Sequence, residues 1–154
     1  MMLYLSRHGE ASHSGPGSPS SLTPRGKSEA ARMAEHLVQQ KKIKATLLWH
    51  SPKIRAVQTA EIYRMAFGGA GLPMEEKDWL EPDGDINTAR REILALKGGS
   101  LIIVSHLPFL PNLAVLLLEG AAESSLSFPT AGWAALELAE KPKFLWSLDP
   151  SSLT

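Results

Sequence analysis

Arg7, His8 and Gly9 stand directly behind an apolar run, Met1 to Ser6. A histidine can act as a nucleophile near neutral pH. An arginine offers a rigid fork of donors that matches a phosphate. A glycine lets the chain turn sharply and leaves room for a substrate. Read together, these residues predict a histidine that accepts a phosphoryl group. Arg55 and His106 fit the same chemistry, because a phosphoryl group needs positive donors around its oxygens and one group in line for attack. Arg7 and Arg55 would supply charge and paired hydrogen bonds, His106 a further donor, and His8 the attacking ring nitrogen. That nitrogen must be neutral, and nearby cations disfavour the protonated ring.

Residues so far apart in sequence meet only if the fold brings them together. Strand and helix signals alternate along the chain, which predicts an α/β fold with a mainly parallel central sheet and helices on both faces. Leu3 to Ser6 reads as the first strand, Thr46 to Trp49 as the second and Leu101 to Val104 as a buried one. Arg7 and His8 follow the first, Arg55 lies just after the second, and His106 follows the third. Parallel strands put all three ends on one rim, the rim where ligands bind in open α/β sheets.

The connecting elements are also legible. Ser12 to Ser21 is a Gly/Pro/Ser loop, expected to be mobile and near the site. Thr23 and Pro24 start a helix as cap and first residue, with Ala30, Ala31, Ala34, Leu37 and Val38 as its buried stripe. A second helix runs to about Phe67 and stops at Gly68, Gly69 and Gly71. Pro73 to Asp85 is irregular or a weak strand. Asn87 to Leu96 and Pro111 to Glu119 read as helices, and Gly132 to Leu138 with Phe144 to Leu148 as a closing strand pair. The tail, Asp149 to Thr154, is expected on the surface. Trp49, Trp133 and Trp146 are expected in the core, and Trp79, beside the acidic loop, is expected to pack there, with the site mouth as the alternative. His13, His36 and His50 read as surface or junction residues.

Length and composition set the outer limits. The 154 residues suit one domain, 1–154, with a real core. Acidic and basic residues balance at 16 each, so neither nucleic acid nor an anionic membrane is an expected partner. The absence of cysteine excludes disulfides, thiolate catalysis and Cys-based metal sites. No His, Asp or Glu set shows ligand spacing, so no metal is expected. Arg7 interrupts the N-terminal apolar run too early for a signal peptide, and Leu107 to Leu118 is too short to span a bilayer. A cytoplasmic protein is the expectation.

Each candidate has a plainer reading when taken alone. Arg55 could be a solvated charge early in a helix, and His106 could cap the helix that follows. Their order, each at a strand-to-helix junction, is what argues for a site.

At this point the chain resembles a known family. RHGEA at the N-terminus, LTPRG at Leu22 to Gly26, SPKIRAVQTA at Ser51 to Ala60 and VSHLPFL at Val104 to Leu110 resemble the histidine phosphatase superfamily, which includes the phosphoglycerate mutases. Within it, the short chain, EPDGD at Glu81 to Asp85, SHLPFLPNL at Ser105 to Leu113 and the ending WSLDPSSL are similar to SixA-type phosphohistidine phosphatases. The resemblance implies a phosphoglycerate mutase-like fold in minimal form, without the lid insertion of the mutases. It implies two steps, transfer of the phosphoryl group to His8 and hydrolysis of the phosphohistidine by water. Arg7, Arg55 and His106 would bind the phosphate, and no cofactor would be needed. The implied substrate is phosphohistidine on a protein, a phosphotransfer domain or carrier.

The general acid is less legible. Asp78, Glu81, Asp83 and Asp85 lie where the superfamily usually carries it, and Glu81 is the choice among them. The Pro82-Asp83-Gly84 turn signature gives the same residues a structural reading. Glu10 is another candidate, although its place beside His8 suits a structural hydrogen bond. A weak acid position fits a phosphohistidine substrate, since imidazole, with a pKa of about 6.5, leaves far more readily than an alcohol. A phosphatase for small sugar or nucleotide phosphates, and a phosphate-binding regulatory module without turnover, are the alternatives. The presence of His8 argues against the second.

Overall fold

Three parallel strands carry the site, and their sequence explains why they lie inside the sheet. In β1, Met2–Arg7, residues alternate between the two faces of the sheet, so burial on both faces calls for a continuous apolar run, here Met2 to Leu5. Leu3 and Leu5 point into one core and Tyr4 into the other. β4, Ser100–Ser105, behaves the same way, with five of its six residues buried. The computed structural model describes residues 1–12, 20–119 and 126–153. It adds α1 at Pro24–Gln39, β2 at Leu47–His50, α2 at Ile54–Ala66, β3 at Met74–Glu76 and α3 at Ile86–Leu94. After β4 come α4 at Phe109–Leu117, β5 at Trp133–Glu137 and β6 at Lys143–Leu148.

The strands form one sheet in the order β3-β2-β4-β1-β5-β6. β3, β2, β4 and β1 run parallel, and β5 and β6 close the sheet antiparallel. α1 and α2 cover one face, packing on Tyr4, Leu48 and Ile102. α3 and α4 cover the other, packing on Leu3, Leu5 and Ile103. The mainly parallel α/β architecture is as expected. The stretch between α2 and β4 holds only β3, short turns and α3, so no lid insertion is present.

Local chemistry fixes the helix ends. Thr23 caps α1, its hydroxyl accepting from the Gly26 amide, and Pro24 occupies the first turn. The buried stripe of α1 is Ala30, Met33, Ala34 and Leu37, a spacing of three and four residues. Ala31, expected in that stripe, is exposed, and Val38 is only half-buried, because each lies about 100° around the helix from its neighbour. α2 stops where Gly68 takes a φ of 136°, a conformation that a side chain resists.

Two helices begin earlier than the sequence predicts. α3 starts at Ile86, because the Asp85 carboxylate accepts from the Asn87 amide. α4 starts at Phe109, and Pro111 falls inside its first turn, where a missing amide hydrogen costs nothing. The tail is not all surface, since Pro150 is buried and Leu153 packs on the α1–α2 core. Trp49 and Trp133 are core residues, whereas Trp146 is half-buried against it. Trp79 meets Trp49 edge to face, in a packing role. The loop expected over residues 12–21 lies largely outside the described residues, as do His13 and Thr154. Among the described residues, no helix is long and apolar enough to cross a membrane.

Candidate active site

Strand pairing brings the candidates together. Arg7 is level with Ser105 across the β1–β4 pair, and His50 is level with Val104 across β2–β4. The three strands therefore end on one rim. Arg7, His8, Arg55 and His106 line a single cavity of about 370 Å³ there, with Glu10 and Leu107.

His8 is held as firmly as a strand residue. Its amide donates to the Ser105 carbonyl at 3.1 Å, and its carbonyl accepts from the Ala131 amide at 3.0 Å. The next amide, of Gly9, donates to Thr59 Oγ1 at 3.0 Å, and that hydroxyl donates to the Arg55 carbonyl at 2.7 Å. Thr59 thus ties the histidine loop to α2, one turn beyond Arg55. α1 closes from the other side. A Cβ on Gly26 would lie 2.1 Å from the Glu10 carbonyl oxygen, so only glycine permits this approach. Thr23 Oγ1 donates to Glu10 Oε1 at 2.8 Å, and Gln58 Oε1 accepts from the Leu22 amide at 2.7 Å.

The His8 ring has a defined tautomer. Nδ1 lies 2.7 Å from the Gly9 carbonyl oxygen, which can only accept, so Nδ1 carries the hydrogen. Nε2 then keeps its lone pair and accepts from Arg55 Nε at 3.3 Å. Burial is the main cause that pushes the His8 pKa down to about 4; the Gly9 hydrogen bond opposes it, and Arg55 and Arg7 add to it. The imidazole is neutral at pH 7.

His106 packs beside it, the ring centroids 5.1 Å apart. Its Nε2 lies 2.7 Å from Ser51 Oγ. Ser51 Oγ already accepts from the Lys53 amide at 3.2 Å, which leaves the hydroxyl hydrogen free for Nε2. In that arrangement His106 carries its hydrogen on Nδ1. Burial first, then the His8 ring, Arg55, Lys53 and Arg7, push the His106 pKa down to about 3. Arg7 donates from Nη1 to the Phe128 carbonyl at 3.2 Å, while burial and then Arg55 lower its pKa. Arg7 Nε and His106 Nδ1 are both buried without a partner. With the Ser51 hydroxyl donating to Nε2 both are donors, and two partnerless donors beside Arg55 form a site that an oxyanion would satisfy.

Glu81 is not brought into this group. It follows the turn Asp78–Leu80, its carboxylate lies 3.5 Å from Lys53 Nζ, and it does not line the cavity. Gly84 donates its amide to the Glu81 carbonyl, closing the turn that Pro82-Asp83-Gly84 announced. Asp85 caps α3, and Asp78 and Asp83 are exposed. Glu10 does line the cavity, and its hydrogen bond to Thr23 is the structural bond expected of it. His50 is a buried junction residue whose Nδ1 meets the Ser51 carbonyl. Among the described residues, no three metal-ligating side chains gather.

Sequence reasoning passed over Ser51, Gln58 and Thr59. All three lie within SPKIRAVQTA, whose spacing around Arg55 was the only signal for them.

The profile of the histidine phosphatase superfamily (branch 1) matches residues 3–81, and the chain belongs to that superfamily. Membership points to a phosphatase, a hydrolase of phosphoryl groups. The chain is similar to the protein histidine phosphatase SixA solved with tungstate, at 28% identity and a TM-score of 0.91 over 100% of both chains. It shares its fold with SixA of Agrobacterium tumefaciens, at 23% identity and a TM-score of 0.82 over 97% of each chain. It also shares its fold with the alpha-ribazole phosphatase of Shigella flexneri, at 18% identity and a TM-score of 0.75 over 94% of this chain and 95% of that one. No curated protein matches the chain.

Proposed function

We propose that this protein removes the phosphoryl group from phosphohistidine on another protein, through a phosphorylated His8. The observation that carries the reading is the His8 ring, fixed by Gly9 so that Nε2 keeps its lone pair, directed at Arg55, and held neutral by burial. A binding module would gain more from a charged imidazolium than from a lone pair facing an anion. The likeness to SixA over the whole length of both chains supports the substrate class.

In the first step His8 Nε2 attacks the phosphorus, releasing Arg55 Nε to a phosphoryl oxygen. The bond between phosphorus and the substrate imidazole breaks, and the departing nitrogen keeps the electron pair. A substrate ring protonated on its other nitrogen leaves as neutral imidazole. Water then attacks phospho-His8, the P–Nε2 bond breaks, and phosphate departs carrying the protons of the water. Arg7, Arg55 and His106 hold the phosphoryl oxygens in both steps, meeting the charge without a metal.

An alcohol leaving group would need a proton in the first step. Glu10 is placed at the cavity to give it, whereas Glu81 would have to leave Lys53. A turnover panel tests the choice: histidine-phosphorylated proteins, phosphoramidate and small phosphate monoesters, with and without a chelator. Proton donation is worth about 10²–10⁴-fold in rate, so phosphohistidine should be the faster substrate, and Glu10→Gln should slow monoesters more than phosphohistidine. Faster turnover of a small monoester than of any phosphohistidine protein favours the small-molecule reading instead. Loss of turnover in chelator, restored by a divalent ion, contradicts the metal-free mechanism.

A further inference from the structure

We propose that Ile54 and Leu107 form an apolar rim on which the phosphohistidine-bearing protein docks. The inference rests on the protein-phosphatase reading above and adds where the partner lands. Ile54 is 44% exposed and Leu107 40%, and both belong to the small set of large apolar side chains left open among the described residues. Leu107 lines the cavity, and Ile54 immediately precedes Arg55, which lines it too. Ile54 is the first residue of α2, between Lys53 and Arg55. Leu107 follows His106 and lines the cavity edge. Their strands are paired, His50 with Val104, so each of these side chains projects from the rim within four residues of a paired position. Two separate strand-to-helix junctions thus present apolar groups to solvent beside the same cationic centre.

A small phosphate ester would leave this rim uncovered. A protein substrate cannot, because a histidine side chain is short. To bring its phosphorylated ring to His8, the partner must lay its surface on the junctions after β2 and β4. The chemistry of the rim selects a partner whose phosphohistidine is surrounded by apolar side chains. A small, transient interface suits an enzyme that must release its product protein. Burial of one or two such anchors accounts for much of the affinity in an interface of this kind.

The test compares Ile54→Glu with Met65→Glu. Met65 is 79% exposed on the same helix but lies in the groove against α1, away from the cavity. Both variants are assayed on a panel of histidine-phosphorylated phosphotransfer domains and on phosphoramidate. Ile54→Glu should lower kcat/KM for the phosphoproteins by about tenfold or more, mainly through KM. Its phosphoramidate turnover, which also reports correct folding, should stay within about twofold of the original. Met65→Glu should change neither. Ile54→Gln, a milder change, should fall between. The rim is overturned if Ile54→Glu leaves the phosphoprotein rate unchanged, if it slows phosphoramidate equally, or if Met65→Glu does the same damage. Failure of the unaltered protein to act on any phosphoprotein, while it cleaves monoesters, overturns the substrate reading itself and the rim with it.

Discussion

Two cavities of nearly equal size sit at opposite ends of the sheet. One, of about 370 Å³, lies beyond the carboxyl ends of β1, β2 and β4 and holds both arginines and both histidines of the site. The other, of about 400 Å³, lies at the amino ends of β1 and β4, between Met1, Ile93, Leu94, Leu117 and Leu138. Size does not distinguish them, and strand direction does. At the carboxyl ends the chain leaves each parallel strand and turns into a helix, so residues just after β1, β2 and β4 converge with their polar groups inward. At the amino ends the helices finish, and apolar side chains close the core. Charged and titratable groups gather at one end of the sheet and apolar packing at the other.

The largest effect expected at the reactive end is the loss of His8. His8→Asn should lower turnover by about 10³-fold or more, since the proposed mechanism carries the phosphoryl group on His8. The same residue gives a pH signature. Its folded pKa, about 4, lies below the ordinary 6.5, and that of His106 is about 3. As pH falls from 6.5, the unfolded chain takes up protons that the folded one refuses, so stability should decline towards pH 4. Chemical denaturation across that range should show the decline, and it should be shallower in His8→Asn. NMR titration of His8 near 6.5 would break the argument for a buried neutral nucleophile.

Arg55→Lys comes next, with a loss of about 10²-fold, because an ammonium cannot replace the guanidinium fork. A kcat/KM within a few fold of the original would show that Arg55 acts as a point charge. Ser51→Ala should cost about tenfold, because His106 then loses the partner that orients its ring, as when a supporting hydrogen bond is removed. The nitrogen chemical shifts of His106 should show a mixture of tautomers, and Ser51→Thr should restore both shift and rate. At the far end, Leu94→Glu should leave kcat/KM within about twofold, as exposed positions away from a site usually do. A large loss there would erase the contrast between the two cavities.

The reactive end was legible because its residues sit beside strong signals. LIIV is a strand by its apolar run, and His106 follows it. RHG interrupts the first apolar run, and the end of the second strand lies a few residues before Arg55. The supporting residues were not legible, since their roles exist only across distance in the chain. Thr59 meets Gly9 from 50 residues away, and Ser51 meets His106 from 55. A threonine inside a helix carries no periodic mark of such a bond. Glu81 shows the converse: its place in the chain fitted a catalytic acid, and its side chain is paired with Lys53 outside the cavity. The starts of α3 and α4 were missed because a cap and an early proline can each belong to a turn or to a helix.

The most direct test of the account is to locate the phosphoryl group during turnover. The protein is mixed briefly with a labelled phosphohistidine protein, quenched in base and digested, and the labelled peptide is sequenced by mass spectrometry. The account predicts acid-labile, base-stable phosphate on His8 and none in His8→Asn. Label on His106 or on any other residue, or steady turnover with no labelled intermediate in His8→Asn, would contradict it.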